Sequence, residues 1–175
     1  MTDQELAHLI TGVKNGNPEA HRQLFDMLAP KLYAFVRYRV PDYETAEDIV
    51  QDGLVALFRA LDTFVVQSTG QFYQYVYTIM RRQLAQYYGN KHSKAALVQV
   101  DTDEATWVAA ADDYSTTGDV ARALATLDPI TRDVVVLHHW SRYTFGEIAL
   151  MLGLEEGAVR TRHHRAKAAL ATLLA

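Results

Sequence analysis

Apolar residues return every three or four positions through most of this chain, and that spacing predicts helices rather than strands. Leu6, Leu9, Ile10 and Val13 form a first short stripe that stops at Gly16. Asn17, Pro18 and Glu19 read as a cap followed by proline at the first helical position. The helix they open carries Leu24, Leu28, Leu32, Phe35 and Val36 on its apolar side; it should bend or break at Pro30 and end before Pro41. Asp42 or Thr45 can cap the third helix, whose stripe of Ala46, Ile49, Val50, Gly53, Leu54, Leu57, Phe58 and Leu61 is unbroken. Its opposite face offers Glu44, Glu47, Asp48, Gln51 and Asp52, then Arg59. Beyond Gln67, Ser68, Thr69 and Gly70, a fourth helix sets Phe72, Tyr75, Val76, Ile79 and Met80 on one side.

Periodicity is lost between Gly89 and Gly118 and resumes with Val120, Leu124 and Leu127. Asp128 and Pro129 open the next helix, with Val135, Val136 and Trp140 along it. Thr144 followed three residues later by Glu147 is a capping box ahead of Ile148, Ala149, Met151 and Leu152. Gly153 closes that short helix and another starts at once near Glu155. Two helices joined by a tight glycine-containing turn form a helix-turn-helix. The expectation is an all-α protein of two small helical domains: 1–95, an acidic linker over 96–118, and 119–175 with the helix-turn-helix.

In the last helix Val159, His163, Ala166, Leu170 and Leu173 share the face that should pack on the fold. Gly157, Thr161, His164 and Arg165 then point away, flanked by Glu156 and Arg160. In such modules the start of the second helix meets base edges in the major groove of duplex DNA, and arginine is the residue that reaches guanine with two hydrogen bonds.

Net charge taken alone argues against DNA, since 17 Lys and Arg stand against 21 Asp and Glu. Its distribution removes the objection. Residues 1–95 hold ten basic and ten acidic side chains, 96–118 none and five, and 119–175 seven and six. The linker carries the deficit, while Arg160, Arg162, Arg165 and Lys167 gather in the last helix. With no cysteine, disulfides and thiol chemistry are excluded. The polar start at Met1-Thr2-Asp3-Gln4-Glu5 lacks the pattern of a signal peptide, and no apolar run is long enough for a membrane span, so a cytoplasmic location is expected.

Six stretches carry a family likeness. Asp128-Pro129-Ile130-Thr131-Arg132-Asp133-Val134-Val135-Val136-Leu137, then Tyr143-Thr144-Phe145-Gly146-Glu147-Ile148-Ala149, then Gly157-Ala158-Val159-Arg160-Thr161-Arg162 resemble region 4 of extracytoplasmic-function sigma factors. Ala46-Glu47-Asp48-Ile49-Val50-Gln51-Asp52, with Leu57, Arg59, Ala60 and Leu61, resembles their region 2, and Gly16-Asn17-Pro18-Glu19-Ala20 and Pro30-Lys31-Leu32-Tyr33 resemble their opening.

The resemblance implies a protein that is not an enzyme and needs no cofactor or metal. Its partners would be core RNA polymerase, promoter DNA and an anti-sigma factor. Asp48, Gln51 and Asp52 match the surface that docks on the clamp helices of the polymerase's largest subunit. Tyr73, Tyr77, Arg81 and Arg82 are the candidates for minus-ten DNA, because aromatic faces beside basic residues hold unstacked bases. Tyr75 lies on the apolar face, where the family has Trp, and counts as packing; Tyr73 and Tyr77 lie off it and should be freer. Tyr87, Tyr88, Lys91 and Lys94 continue the same mixture of aromatic and basic side chains. The loop from Asp62 to Gln71 matches the segment that captures a flipped promoter base. Glu156, Gly157, Arg160, Thr161, His164 and Arg165 are the candidates for the minus-thirty-five element.

The chain departs from the family at Arg82 and Gln86, where relatives carry Asn and Asp, and at His163, where they carry an apolar residue. The acidic linker resembles the segment that threads near the polymerase cleft, and an anti-sigma factor would cover its Leu97, Val98 and Trp107. Two other classes compete. A stand-alone helix-turn-helix regulator would lack the Ala46 to Asp52 docking motif. A metalloenzyme would need a ligand set among His138, His139, His163 and His164, whose spacing matches none known.

Overall fold

In the computed structural model, residues 1–93 and 119–174 are described, and among them every regular element is an α-helix. The expected linker over 96–118, with Leu97, Val98 and Trp107, lies outside the described residues, as do Lys94 and the side chain of Lys91.

The N-terminal unit comprises α1 (Asp3–Lys14), α2 (Pro18–Arg37), α3 (Tyr43–Leu61) and α4 (Thr69–Ser93). Each start has a local cause. Thr2 and Glu5 form a reciprocal capping box on α1. Asn17 accepts from the Glu19 N–H at 2.9 Å, and Asp42 accepts from the Thr45 N–H at 2.7 Å, so Asp42 rather than Thr45 caps α3. Asp3 reaches across from α1 to cap α4, accepting from the Thr69 N–H at 2.6 Å. Of the bend or break expected at Pro30, the break does not occur, since α2 runs through it to Arg37 and ends before Pro41 as expected. Pro30 sits on the exposed side, so the Asp26 carbonyl that loses its helical donor is open to water. The stripes converge as read: Leu6, Ile10, Leu24, Leu28, Leu57, Leu61, Phe72 and Met80 are fully buried.

The C-terminal unit comprises α5 (Asp119–Ala125), α6 (Pro129–His139), α7 (Phe145–Leu152) and α8 (Glu156–Leu173). Buried Arg132 donates to the carbonyls of Leu124, Ala125 and Leu127 at 2.9, 3.0 and 3.1 Å, joining the Leu127 N–H at the first of them and closing the end of α5. The Thr144 and Glu147 capping box is formed as expected, and Gly153 ends α7 at φ +65°. Val159 and Ala166 hold α8 to the unit, with His163 and Leu170 half-buried. Leu173 departs from the expected packing face: it is 55% exposed, on the wall of an open groove shared with Asp119, Arg122 and Ala123 of α5.

The two units lie against each other, α4 along α7 and α2 along α6. Leu150 of α7 fits where Gly70 of α4 has no side chain; a Cβ at Gly70 would stand 2.3 Å from the nearest Leu150 methyl. Tyr38 packs on Trp140, ring centroids 4.8 Å apart.

Because Gly153 is in the left-handed region, a β-carbon there is strained by roughly 1–2 kcal/mol. Gly153→Ala should lower the stability of the chain by about 1 kcal/mol in equilibrium denaturation. An unchanged midpoint would contradict the geometry assigned to the turn.

Candidate polymerase and nucleic-acid interfaces

Three surfaces collect the residues singled out in the sequence. On α3, Asp48, Gln51 and Asp52 are all exposed, one helical turn apart on the face opposite Val50, Leu54 and Leu57. Beside them is a cleft of about 270 Å³, lined by Thr45, Asp48, Ile49, Asp52, Gln83, Gln86 and Tyr87. Gln86, with Gln83 and Tyr87, therefore lies on the α4 wall of this cleft, facing Asp48 and Asp52 of α3.

On α8, Glu156, Gly157, Arg160, Thr161, His164 and Arg165 are all exposed, with Val159 buried behind them. Glu156 accepts from Arg160 at 2.5 and 3.1 Å, and the Arg160 guanidinium stands 5.4 Å from the Phe145 ring centroid. Such an exposed pair adds little stability, but it limits where the guanidinium points. Thr161 donates back to the Gly157 carbonyl at 2.9 Å. Arg162 is directed elsewhere: it donates to Thr131 Oγ1 at 3.3 Å and pairs with Asp128, tying α8 to the start of α6. A groove of about 560 Å³ runs beside this face, with Arg162 and Arg165 on its wall.

On α4 the four candidates divide. Arg82 is exposed and Arg81 half-buried. Tyr73 and Tyr77 are only 4% and 5% exposed, which corrects the expectation that they are freer than Tyr75. Tyr77 meets Phe35 of the N-terminal core, ring centroids 5.3 Å apart, and donates to Asp133 of the C-terminal unit, while Tyr73 faces Tyr143. Tyr75 is half-buried and stacks on Phe64, ring centroids 4.8 Å apart. The Asp62 to Gln71 loop is tied down at two points, since Lys14 donates to the Phe64 carbonyl at 2.7 Å and Asp3 caps Thr69.

Both described units match known families, residues 24–93 matching sigma-70 region 2 and residues 117–170 matching sigma-70 region 4. The chain is 32% identical over 139 residues to the RNA polymerase sigma-E factor of Streptomyces avermitilis, spanning 77% of this chain and 73% of that one. It belongs to the sigma-70 family. The extracytoplasmic-function sigma factor BldN of Streptomyces coelicolor is 25% identical over 174 residues, which are 97% of this chain and 66% of that relative. Among solved structures, CnrH in complex with the cytosolic domain of CnrY superposes with a TM-score of 0.69 at 27% identity, covering 96% of each chain. This is an alternative sigma factor of the extracytoplasmic-function group, and its role is to direct transcription.

Within the sigma factor, several polar contacts had no signal in the sequence. Arg39, 3% exposed, donates to the Phe35 carbonyl and pairs with Asp133 of α6, while Tyr77 donates its hydroxyl to the same carboxylate. Burial and the Asp133 charge hold the Tyr77 phenol well above its ordinary range, so it remains a donor. Lys31 stands 4.0 Å from the Tyr143 ring centroid, and burial lowers its ammonium's pKa.

His138, His139, His163 and Phe145 form a second cluster where α6, α7 and α8 meet. The Nε2 atoms of His139 and His163 are 2.8 Å apart, a distance that requires one shared proton. His138 Nδ1 lies 3.1 Å from the Tyr143 carbonyl, and its ring stacks on Phe145. Among the described residues no group of three or more His, Cys, Asp or Glu is arranged to hold a metal ion.

Burial, reinforced by His138 and Lys167, depresses the pKa of both His139 and His163. A base with a depressed folded-state pKa contributes stability that is complete above its unfolded value, about 6.5, and is lost as pH falls through the depressed value. The melting temperature should therefore drop as pH falls from about 7 to about 5, and His163→Leu should flatten that slope. Circular dichroism melts across this range decide the matter, and an equal slope in the variant would remove His163 from the account.

Proposed function

We propose that this sigma factor binds core RNA polymerase through the acidic face of α3 and reads its promoter with the two units separately. Asp48, Gln51 and Asp52 dock on the clamp helices of the largest subunit. Glu156, Gly157, Arg160, Thr161, His164 and Arg165 present the start of α8 to the major groove of the minus-thirty-five element. Tyr73, Tyr77, Arg81 and Arg82 hold the minus-ten element, bases stacking on the phenols and phosphates meeting the guanidinium groups. On this reading residues 1–95 and 119–175 are the two working domains and 96–118 joins them. The protein acts in the cytoplasm, where polymerase and chromosome are, and works by placing the polymerase rather than by making bonds.

The observation that carries this reading is the presence, in one chain, of an exposed acidic face on α3 and an exposed Arg, Thr and His face at the start of α8. Among the described residues no helix is long and apolar enough to cross a membrane. The likeness to CnrH, solved with the cytosolic domain of CnrY, supports an anti-sigma factor as the partner that holds this chain inactive.

Run-off transcription from a genomic promoter pool, with core polymerase and purified protein, tests the function. New transcripts are expected, and their complete absence would sink the reading. Asp48→Ala combined with Asp52→Ala should weaken core polymerase binding while leaving duplex affinity intact. Arg165→Ala should do the reverse, costing about 1–3 kcal/mol of duplex discrimination in a mobility-shift competition with the assembled holoenzyme.

A further inference from the structure

Residues 64–68 join α3 to α4 without belonging to either helix. A segment of this kind takes its shape from whatever holds it. Phe64 donates its N–H to the Leu61 carbonyl at 3.1 Å, and its ring stacks on Tyr75 of α4, centroids 4.8 Å apart. Two further ties come from α1, 50 and 66 residues away in the chain. Lys14 Nζ donates to the Phe64 carbonyl at 2.7 Å. Asp3 Oδ1 accepts from the Thr69 N–H at 2.6 Å and also from the Thr69 hydroxyl. These bonds from Thr69 hold the Asp3 carboxyl below the usual carboxylate range, so it is ionised at neutral pH.

Neither anchor belongs to the core. Asp3 and Lys14 are exposed, and α1 is seated by Leu6, Leu9, Ile10 and Val13 on its other side. The match to region 2 begins at residue 24, so α1 lies outside it. A helix that the family match does not cover thus grips both ends of the loop ahead of α4, the helix assigned above to minus-ten DNA. Held in this way, the loop keeps its centre outward, with Val65 70% exposed and Gln67 exposed beside it.

We infer that Asp3 and Lys14 are positioning residues for promoter opening, holding residues 64–68 in the form that receives an unpaired minus-ten base. The inference rests on the sigma reading given above. A base that meets a loop already in its bound shape is held at the cost of its own freedom alone, whereas a slack loop must be ordered at the same moment. The base leaves its stack in either case, and that cost does not depend on the loop. Preorganisation therefore acts on the step where the strands part, and leaves polymerase docking through α3 and duplex reading through α8 untouched.

Asp3→Ala combined with Lys14→Met in the full chain tests this, assembled with core polymerase on a promoter recovered by run-off transcription. Two templates are compared: the paired duplex, and the same DNA with a mismatched minus-ten segment that is already open. The double variant should give about tenfold fewer transcripts than wild type from the paired template, equivalent to about 1.4 kcal/mol. From the open template it should stay within about twofold of wild type. Its affinity for core polymerase should not change. Lys14→Arg keeps a donor for the Phe64 carbonyl and should match wild type on both templates.

Equal output from the paired template overturns the inference. So does an equal loss on both templates, which is what a damaged fold alone produces. Should the double variant lose helicity, Lys14→Met by itself decides on the same two templates, since that side chain is exposed and the Thr2 and Glu5 capping box of α1 is retained. Wild-type output separates the two readings: no transcripts from any promoter would remove the sigma role, whereas transcripts that the variants leave unchanged remove only the role given to α1.

Discussion

The arrangement depends on one constraint, which is that α4 has too many large apolar side chains to be covered from one side. Phe72, Val76, Ile79, Met80 and Leu84 belong to one core, while Tyr73, Tyr77 and Tyr88 are equally buried. A helix apolar on most of its circumference must be packed on most of its circumference. The N-terminal bundle supplies one side, with Gly53 letting Met80 approach α3 closely. Much of the other side is supplied by α6 and α7. Tyr77 carries a polar end to this second side, donating to Asp133, whereas Tyr88 donates within the N-terminal unit to the Arg39 carbonyl.

That second contact sets the character of the C-terminal unit. Its own core is small, with Leu124, Leu137 and Ile148 among the few large side chains fully buried. Specific polar devices supplement it: Arg132 closes the end of α5, Asp128 caps α6, Thr144 and Glu147 cap α7, and Gly153 turns the chain into α8. These contacts orient α8 from behind and leave its first turns outward. Glu156 and Phe145 then confine Arg160 without burying it.

Much of this was legible in the sequence because it is local. Stripes at three and four residues gave α1 to α4, Asn17, Asp42 and Asp128 gave their helix starts, and the Thr144 box with Gly153 gave the turn. The outward face of α8 followed from the angle between successive residues, as did the exposure of Asp48, Gln51 and Asp52. What could not be read depends on residues distant in sequence. Arg39 and Asp133 are 94 residues apart, and Tyr77 and Asp133 are 56 apart, so no periodicity links them. Tyr73 and Tyr77 looked free because a stripe shows only the face toward one core and says nothing of a second body. At Pro30 the sequence allowed either a bend or a break, and the helix continues because the missing bond falls on its exposed side, where water can replace it. His163, in place of an aliphatic residue, gave no hint that His139 would meet it across α6 and α8.

The meeting of Tyr73 with Tyr143 has a consequence for the surface the protein offers. While the units are together the two rings shelter one another, 4% and 3% exposed, whereas Leu150 beside Gly70 remains 56% exposed. Separated units would present both rings in addition to Leu150, the kind of surface through which chains stick to one another. Contact between the units therefore limits how much apolar surface the chain shows to its neighbours.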